Sequence, residues 1–486
     1  MNKLDFNDPE IILNLLPGIL LVGASLIATI SIVIKRNHKL IYRVTSACLI
    51  GIFYYLLTYA SNRTFSIEPL FIIDGFGTFI TGLIVLSTLI IVMISFAYFE
   101  QREERKEEYY ILILLATLGA SMLVISKHFV SLFLGLEILS IALYAMIAYL
   151  RKRAKSDEAG IKYLILAAFS SAFLLFGMAL VYLMTGSMDF TAIATYMKSV
   201  NELPLLMLTG LGLMIIGVGF KLGVVPFHMW APDVYEGAPA PVTAFIATVS
   251  KGGMVVLLVR FFTQIDGYRY PAMVMTFTII SIASMFVGNF LALSQSNVKR
   301  VLAYSSIAHL GYLLVAFLAS GKLGVEAVCF YLVAYFVTSL GAFGIISILS
   351  DDERDAEKLE DYQSLFWRRP WMAAAFTAML LSLAGIPLTA GFVGKFYIIA
   401  AGVSVQQWLL VVMLALNSVI GLFYYIKIIA VMFEKPVDSV VHTHPSMYWI
   451  NGVTLFMLVL FLVWLGLYPQ TMIDLIREYL GGGNGL

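Results

Sequence analysis

At 486 residues, with 60% apolar and 13% charged side chains, the chain is too hydrophobic for an ordinary water-soluble domain. Its 31 basic and 30 acidic residues leave a net charge of +1, without the basic excess a nucleic-acid-binding surface needs. Cys48 and Cys329 are its two cysteines, both in apolar runs and without cluster-binding spacing, so no redox centre or other cofactor is expected in the chain itself.

Met1 to Glu10 is acidic rather than basic and no small-residue cleavage site follows, so the first apolar run is expected to stay in the mature protein. A bilayer core takes about 20 apolar residues per helix. Runs of that kind cover Ile11 to Ile34, Val44 to Ala60, Phe71 to Phe99, Tyr109 to Ser126, Phe129 to Leu150, Ile161 to Met184 and Leu203 to Val225. They continue over Val242 to Phe262, Ala272 to Leu293, Val301 to Ala319, Val325 to Leu349, Met372 to Ala400, Trp408 to Phe433 and Trp449 to Leu467. The expected fold is therefore an all-α integral membrane protein of about fourteen spans, a single transmembrane domain over residues 1–486. The charged stretch Asp351 to Arg369 is expected on the cytoplasmic surface, and Ile473 to Leu480 reads either as a short interfacial turn or as a frayed tail.

Loops after odd-numbered spans hold eighteen of the basic residues, among them Arg102, Arg153, Lys299 and Arg300, and the opposite side holds eight, among them Lys127, Arg260, Lys322 and Arg477. By the positive-inside rule both termini are expected on the non-cytoplasmic side.

Five basic residues remain within or at the ends of spans: Lys162, Lys221, Lys251, Lys395 and Lys427. Glu137 lies mid-way along the fifth span and His309 mid-way along the tenth. A charge at mid-bilayer costs about 2.5 to 3.5 kcal/mol even on the lenient insertion scale, so each needs a justification. Lys162 and Lys427 lie near cytoplasmic span ends and can snorkel to the interface. Glu137, Lys221 and Lys251 are too deep for that, and the plain alternative to a transport role for them is a structural ion pair. His309 reads as a relay or as a neutral histidine bonded to a neighbouring hydroxyl. His228, beside Pro226 and Trp230, reads as an interfacial residue or as a point of proton entry.

Two spans are interrupted, the seventh by Gly219-Phe-Lys-Leu-Gly-Val-Val-Pro226 and the twelfth by Ala384-Gly-Ile-Pro-Leu-Thr-Ala-Gly391. Such breaks free backbone groups that only protein or water can satisfy, and paired breaks point to a transport site. Lys221 and Lys395 lie 174 residues and five spans apart, Glu137 and His309 172 residues and five spans apart. A five-span unit repeated in tandem must insert upside down, so spans four to eight (residues 108–262) and nine to thirteen (272–433) are expected to be inverted repeats.

The stretch from Lys221 through P-F-H-M-W-A-P-D-V-Y-E-G-A-P to Pro241, then T-A-F-I-A-T-V-S-K at Lys251, and later S-L-A-G-I-P-L-T-A-G-F-V-G-K-F, resembles the antiporter-like subunits of respiratory complex I. The likeness extends over essentially the whole chain and is strongest to the N-type subunits of bacterial NADH:quinone oxidoreductase. It implies a proton-translocating membrane-arm subunit of the bacterial inner membrane, with an M-type neighbour and small membrane subunits as partners. Flavin, iron–sulfur clusters and quinone would sit in other subunits. It also implies roles: Glu137 as the fifth-span glutamate, Lys221 as its broken-helix partner, Lys251 as the connecting lysine, Lys395 as the exit lysine and Lys162 as the sixth-span lysine. Protons would pass from Lys221 to Lys251 and, through the vicinity of His309, to Lys395. Subunits of multi-subunit cation/proton antiporters share much of the motif set and remain the alternative.

Overall fold

The computed structural model describes residues 9–58, 64–102, 105–200, 202–435 and 448–481. It is built almost wholly of helices: α1 (Pro9–Ile34), α2 (His38–Thr58), α3 (Gly75–Glu100), α4 (Glu108–Val124), α5 (Phe129–Ile147), α6 (Ala154–Thr185), α7 (Phe190–Ser199), α8 (Leu205–Leu222), α9 (Trp230–Gly237) and α10 (Ala240–Phe245). One π-helical turn, Ile246–Ser250, joins α10 to α11 (Lys251–Gln264) as a single span. There follow α12 (Pro271–Leu293), α13 (Val298–Leu318), α14 (Gly321–Leu349), α15 (Leu365–Arg368), α16 (Pro370–Ala384), α17 (Ala390–Ser404), α18 (Trp408–Phe433), α19 (Trp449–Leu467) and α20 (Pro469–Gly481).

Each of the fourteen apolar runs falls mainly on helix, the last two residues of the second run, 59 and 60, lying outside the described residues. Among the described residues twelve spans are long and apolar enough to cross a bilayer, and α4, at 17 residues, and the broken pair α16 and α17 account for the other two runs. The α10–α11 span, α13 and α14 are buried along their central stretches, whereas α1 and α6 turn most of their surface outward. The central helices thus lie in protein and the peripheral ones are left to face lipid or other subunits, the arrangement in which polar groups at depth find partners.

Several expectations need correction. Phe71 does not begin a helix: Phe71–Ile73 is a strand paired antiparallel with Phe65–Ile67, and the Asp74 side chain, accepting from the Gly77 amide at 2.7 Å, starts α3 at Gly75. The Pro-rich end of the seventh run is not part of α8, which stops at Leu222 because Gly223 adopts a left-handed conformation with φ +72°. The proposed turn or frayed tail is a helix, α20, whose Met472, Ile473 and Ile476 are buried. The Asp351–Arg369 segment is not simply a surface loop. Its Asp355 is 4% exposed and its Tyr362 is fully enclosed. Among the residues assigned to loops, Lys299 and Arg260 are 0% and 3% exposed, so both are core residues.

Candidate functional site

Lys221, Lys251, His309 and Lys395 are 6%, 1%, 5% and 6% exposed, which places all four in the protein interior. Lys221 sits in the last turn of α8, just before the break. Its Nζ donates to Ser140 Oγ on α5 at 2.7 Å and lies 5.4 Å from the centre of the Tyr163 ring. Glu137 is one helical turn from Ser140 on the same face of α5 and accepts from Ser171 Oγ of α6 at 2.8 Å. The expected Glu137–Lys221 pair is therefore not a direct ion pair; a serine hydroxyl holds the ammonium instead. The carbonyl that the break frees at Phe220 accepts from the Trp230 indole at 2.8 Å.

Lys251 is the first residue after the π-turn. The Thr248 hydroxyl donates back to the Ala244 carbonyl at 2.6 Å, competing with the backbone ladder where the helix widens. The turn aims Lys251 at α13, where its Nζ donates to Ser306 Oγ at 2.6 Å. Ser306 also accepts from Tyr335 at 2.7 Å and from Tyr235 at 3.3 Å. A cavity of about 10 Å³, room for one water at most, is lined by Lys251, His309, Tyr331 and Tyr335.

His309 lies one turn beyond Ser306 on α13. Its Nδ1 is 2.6 Å from the Tyr331 hydroxyl and its Nε2 is 3.2 Å from that of Tyr425, which in turn bonds Ser305. Both imidazole nitrogens are thus satisfied by hydroxyls. The neighbouring Tyr424 donates to Asn289 at 2.9 Å, and the Asn289 amide reaches Tyr312 at 2.9 Å and Asn417 at 3.3 Å. These buried polar groups, drawn from α12, α13, α14 and α18, lead toward the second break.

There α16 ends at Gly385, with φ +85°, and α17 begins at Ala390. Lys395 of α17 closes the end of α16, donating to the carbonyls of Leu383 at 2.9 Å and Ala384 at 2.8 Å, and also to Ser418 Oγ at 2.9 Å. An ammonium at a helix C-terminus meets both the unpaired carbonyls and the negative end of the helix dipole. The two lysines are placed differently about their breaks. Lys221 precedes its left-handed glycine on the helix that ends there, whereas Lys395 reaches back from the helix that begins after it.

The other candidates lie apart. Lys162 is not in the interior: its side chain is 44% exposed and pairs with Glu158 at 2.6 Å and Asp233 at 3.0 Å. Eight residues into α6, the flexible stem reaches the helix end, where α9 supplies the carboxylate. Burial pushes the Asp233 carboxyl up, but hydrogen bonds from Arg300 and Lys162 outweigh it and hold it below the ordinary aspartate range. His228 is buried in the protein, beside the break after α8. Lys427 is exposed and donates to the Gln295 carbonyl at 3.3 Å, the snorkelling placement.

Residues 126–421 match the family described as "NADH:quinone oxidoreductase/Mrp antiporter, TM". Over 465 residues the chain is 45% identical to the NADH-quinone oxidoreductase subunit N of Methylococcus capsulatus, covering 95% of this chain and 93% of that protein. The chain belongs to the NADH-quinone oxidoreductase subunit N family. A chain of respiratory complex I from Thermus thermophilus, 30% identical, superimposes with a TM-score of 0.81 over 94% of this chain and 98% of its own. A chain of the Mrp complex from Dietzia sp. superimposes with a TM-score of 0.84 over 96% and 97%, at 19% identity, a likeness of fold alone.

Three further clusters in this subunit N family member were not legible from the sequence. Arg260 forms a two-pronged bond to Asp74, at 2.7 and 2.8 Å, which ties α11 to the start of α3. Asp355 gathers Lys299 at 2.8 Å, Arg153 at 2.9 Å and Tyr98 at 2.7 Å, while Arg102 lies 3.9 Å away. Burial disfavours the Asp355 carboxylate, yet the charges of Lys299, Arg153 and Arg102 hold it well below the usual range. Glu326 of α14, 4% exposed, accepts from Tyr397 and Arg477. Each unites residues from distant parts of the chain; Asp74, Arg260 and Glu326 stand just inside apolar runs, whereas Asp355 and its basic partners lie in charged loop segments that give no local sign.

Proposed function

We propose that this chain carries protons from the cytoplasm to the outer face of the bacterial inner membrane as an antiporter-like subunit of the membrane arm of complex I. The relay runs through Glu137, Lys221, Lys251, His309 and Lys395, and quinone reduction in partner subunits drives it. Its membrane partners are an M-type neighbour and small membrane subunits, and the flavin, iron–sulfur clusters and quinone sit in other subunits of the complex. Both termini lie on the outer side, and residues 108–262 and 272–433 are inverted repeats that each provide half of the route. Lys162, with Asp233, and buried His228 stand at the cytoplasmic approach to it.

One observation carries this reading. Each of the three relay lysines donates to a serine, Lys221 to Ser140, Lys251 to Ser306 and Lys395 to Ser418, and among the described residues none of these three is ion-paired to a carboxylate, whereas buried Lys299 is. A hydroxyl oxygen accepts from an ammonium and equally from an N–H of the neutral amine. A lysine so held keeps a hydrogen bond whether or not it carries its proton, which a relay requires and a structural ion pair does not provide. Glu137, beside Lys221, favours its charged form; a conformational change that withdraws Glu137 makes Lys221 the stronger proton donor.

The test is NADH-driven proton pumping in inverted membrane vesicles carrying Glu137→Gln or Lys221→Ala. Both should pump far more slowly than wild type at equal complex content, and normal rates in both would end the proposal. A cation/proton antiporter working without NADH would purify in mild detergent without flavin- and cluster-bearing companions, which separates that alternative.

A further inference from the structure

The side chain of Glu326 is 5% exposed while that of its partner Arg477 is 46% exposed, so a buried carboxylate is neutralised by a cation reaching in from the surface. The Arg477 Nε–H donates to Glu326 Oε2 at 3.0 Å, and the Tyr397 hydroxyl donates to the same oxygen at 2.7 Å. The three residues belong to three elements. Glu326 lies five residues into α14, roughly 7.5 Å along its axis. Tyr397 is on α17, and Arg477 on the amphipathic α20. Lys322, one turn earlier on α14, is exposed.

The position of this cluster relative to Lys395 is informative. α17 is a continuous helix of 15 residues that carries Lys395 and, two residues on, Tyr397. Lys395 faces back into the break against α16 and α18, while Tyr397 faces α14. The chain direction puts α20, the start of α14 and the end of α17 at the end of the bundle opposite the Asp355 cluster. Glu326 is therefore a buried carboxylate on the α20 side of the lysine at which the relay ends. Lys395 and Tyr397 are carried on one continuous helix, so a shift of α17 that loosened the Lys395 bonds to Leu383 and Ala384 would also shift the Tyr397 hydroxyl against Glu326.

We infer that Glu326, Tyr397 and Arg477 form the release gate of the proposed relay: Glu326 takes the proton that leaves Lys395, and Arg477 of α20 displaces it to the outer surface. This rests on the relay reading above. The step conserves charge and atoms. The Lys395 ammonium becomes an amine, the Glu326 carboxylate becomes a carboxylic acid, and the returning guanidinium restores the carboxylate as the proton passes to outside water. The other reading of the cluster is a clamp that fixes α20 to the bundle.

Neutral substitutions tell the two apart, using the whole complex in inverted vesicles. Glu326→Gln and Arg477→Gln each leave one charge without its partner, whereas the double variant leaves two neutral amides able to bond each other. If the cluster is a gate, Glu326→Gln and the double variant both pump severalfold fewer protons per NADH oxidised, and Arg477→Lys restores more pumping than Arg477→Gln. If it is only a clamp, the double variant regains both complex yield and wild-type pumping, which overturns the proposal. Should Glu326→Gln fail to assemble, Tyr397→Phe supplies the same readout without a charge change, and a wild-type proton-to-NADH ratio there overturns it too. Lys395→Ala, measured in parallel, separates the levels. Normal pumping in that variant removes the relay and the gate together, while impaired Lys395→Ala beside normal Glu326→Gln removes the gate alone.

Discussion

The ammonium of Lys221 rests on the hydroxyl of Ser140, one helical turn from Glu137, and not on the glutamate itself. That hydroxyl also donates to the Leu136 carbonyl at 2.6 Å, so it is already oriented by its own helix. Removing it in Ser140→Ala strips the buried lysine of its hydrogen-bond partner. A hydrogen bond to a charged group contributes about 1.5 to 3 kcal/mol, so pumping in vesicles should slow about tenfold or more while complex content stays near wild type. Wild-type pumping rates in Ser140→Ala would show the contact to be idle.

Ser306 is shared by Lys251, Tyr335 and Tyr235, and it stands one turn from His309. Ser306→Ala should therefore impair pumping more than Tyr335→Phe, which leaves the lysine–serine bond in place. NADH-driven acidification of vesicles checks the order, and the reverse order would place the tyrosine rather than the serine at the centre of the relay.

Asp355 is the single carboxylate at which Lys299, Arg153 and Arg102 converge. Asp355→Asn leaves these buried cations without their counter-charge and should destabilise the protein by about 3 to 5 kcal/mol, read as a lower unfolding temperature in detergent. The depressed folded-state value fixes the sign of the pH dependence. The stabilisation is fully present above the ordinary aspartate value of about 3.9, and it is lost as pH falls through that value toward the lower folded one. The gap between wild type and variant should close on acidification below about pH 4; a gap that widens there would contradict the assignment.

A methyl group at Gly391 would collide with the Ser382 carbonyl, because the start of α17 overlaps the end of α16 at the second break. Gly391→Ala should cost about 1 to 3 kcal/mol through overpacking and displace Lys395 from its two carbonyls. Gly212→Ala is the control, since an added Cβ there meets open space. Equal complex yield and pumping in the two variants would mean that the half-helices part freely.

The spans and the interior lysines were legible because hydrophobic runs are long and a lone charge within one is conspicuous. The serines that hold those lysines were not. A serine in an apolar helix ordinarily bonds the carbonyl one turn back, as Ser140 also does, so its sequence context does not reveal a second partner. Arg260 reads as a loop residue because it lies near the end of its run, and its partner Asp74 is 186 positions away. For Lys162 the two signals differ: its position near a span end allows snorkelling while the family resemblance implies a relay lysine, and the exposed side chain pairs with the carboxylates of α6 and α9.

The π-turn before Lys251 adds one residue to a helical turn, and each residue rotates an α-helix by about 100°. Everything from Lys251 onward is therefore phased differently from Ala240–Phe245, and the lysine meets Ser306 only because of that offset. Shortening Ile246–Ser250 by a single residue would leave an unbroken, equally apolar helix pointing its ammonium at the wrong neighbour. The spacing of this one turn, as much as the identity of the lysine, decides which wall of the bundle the charge addresses.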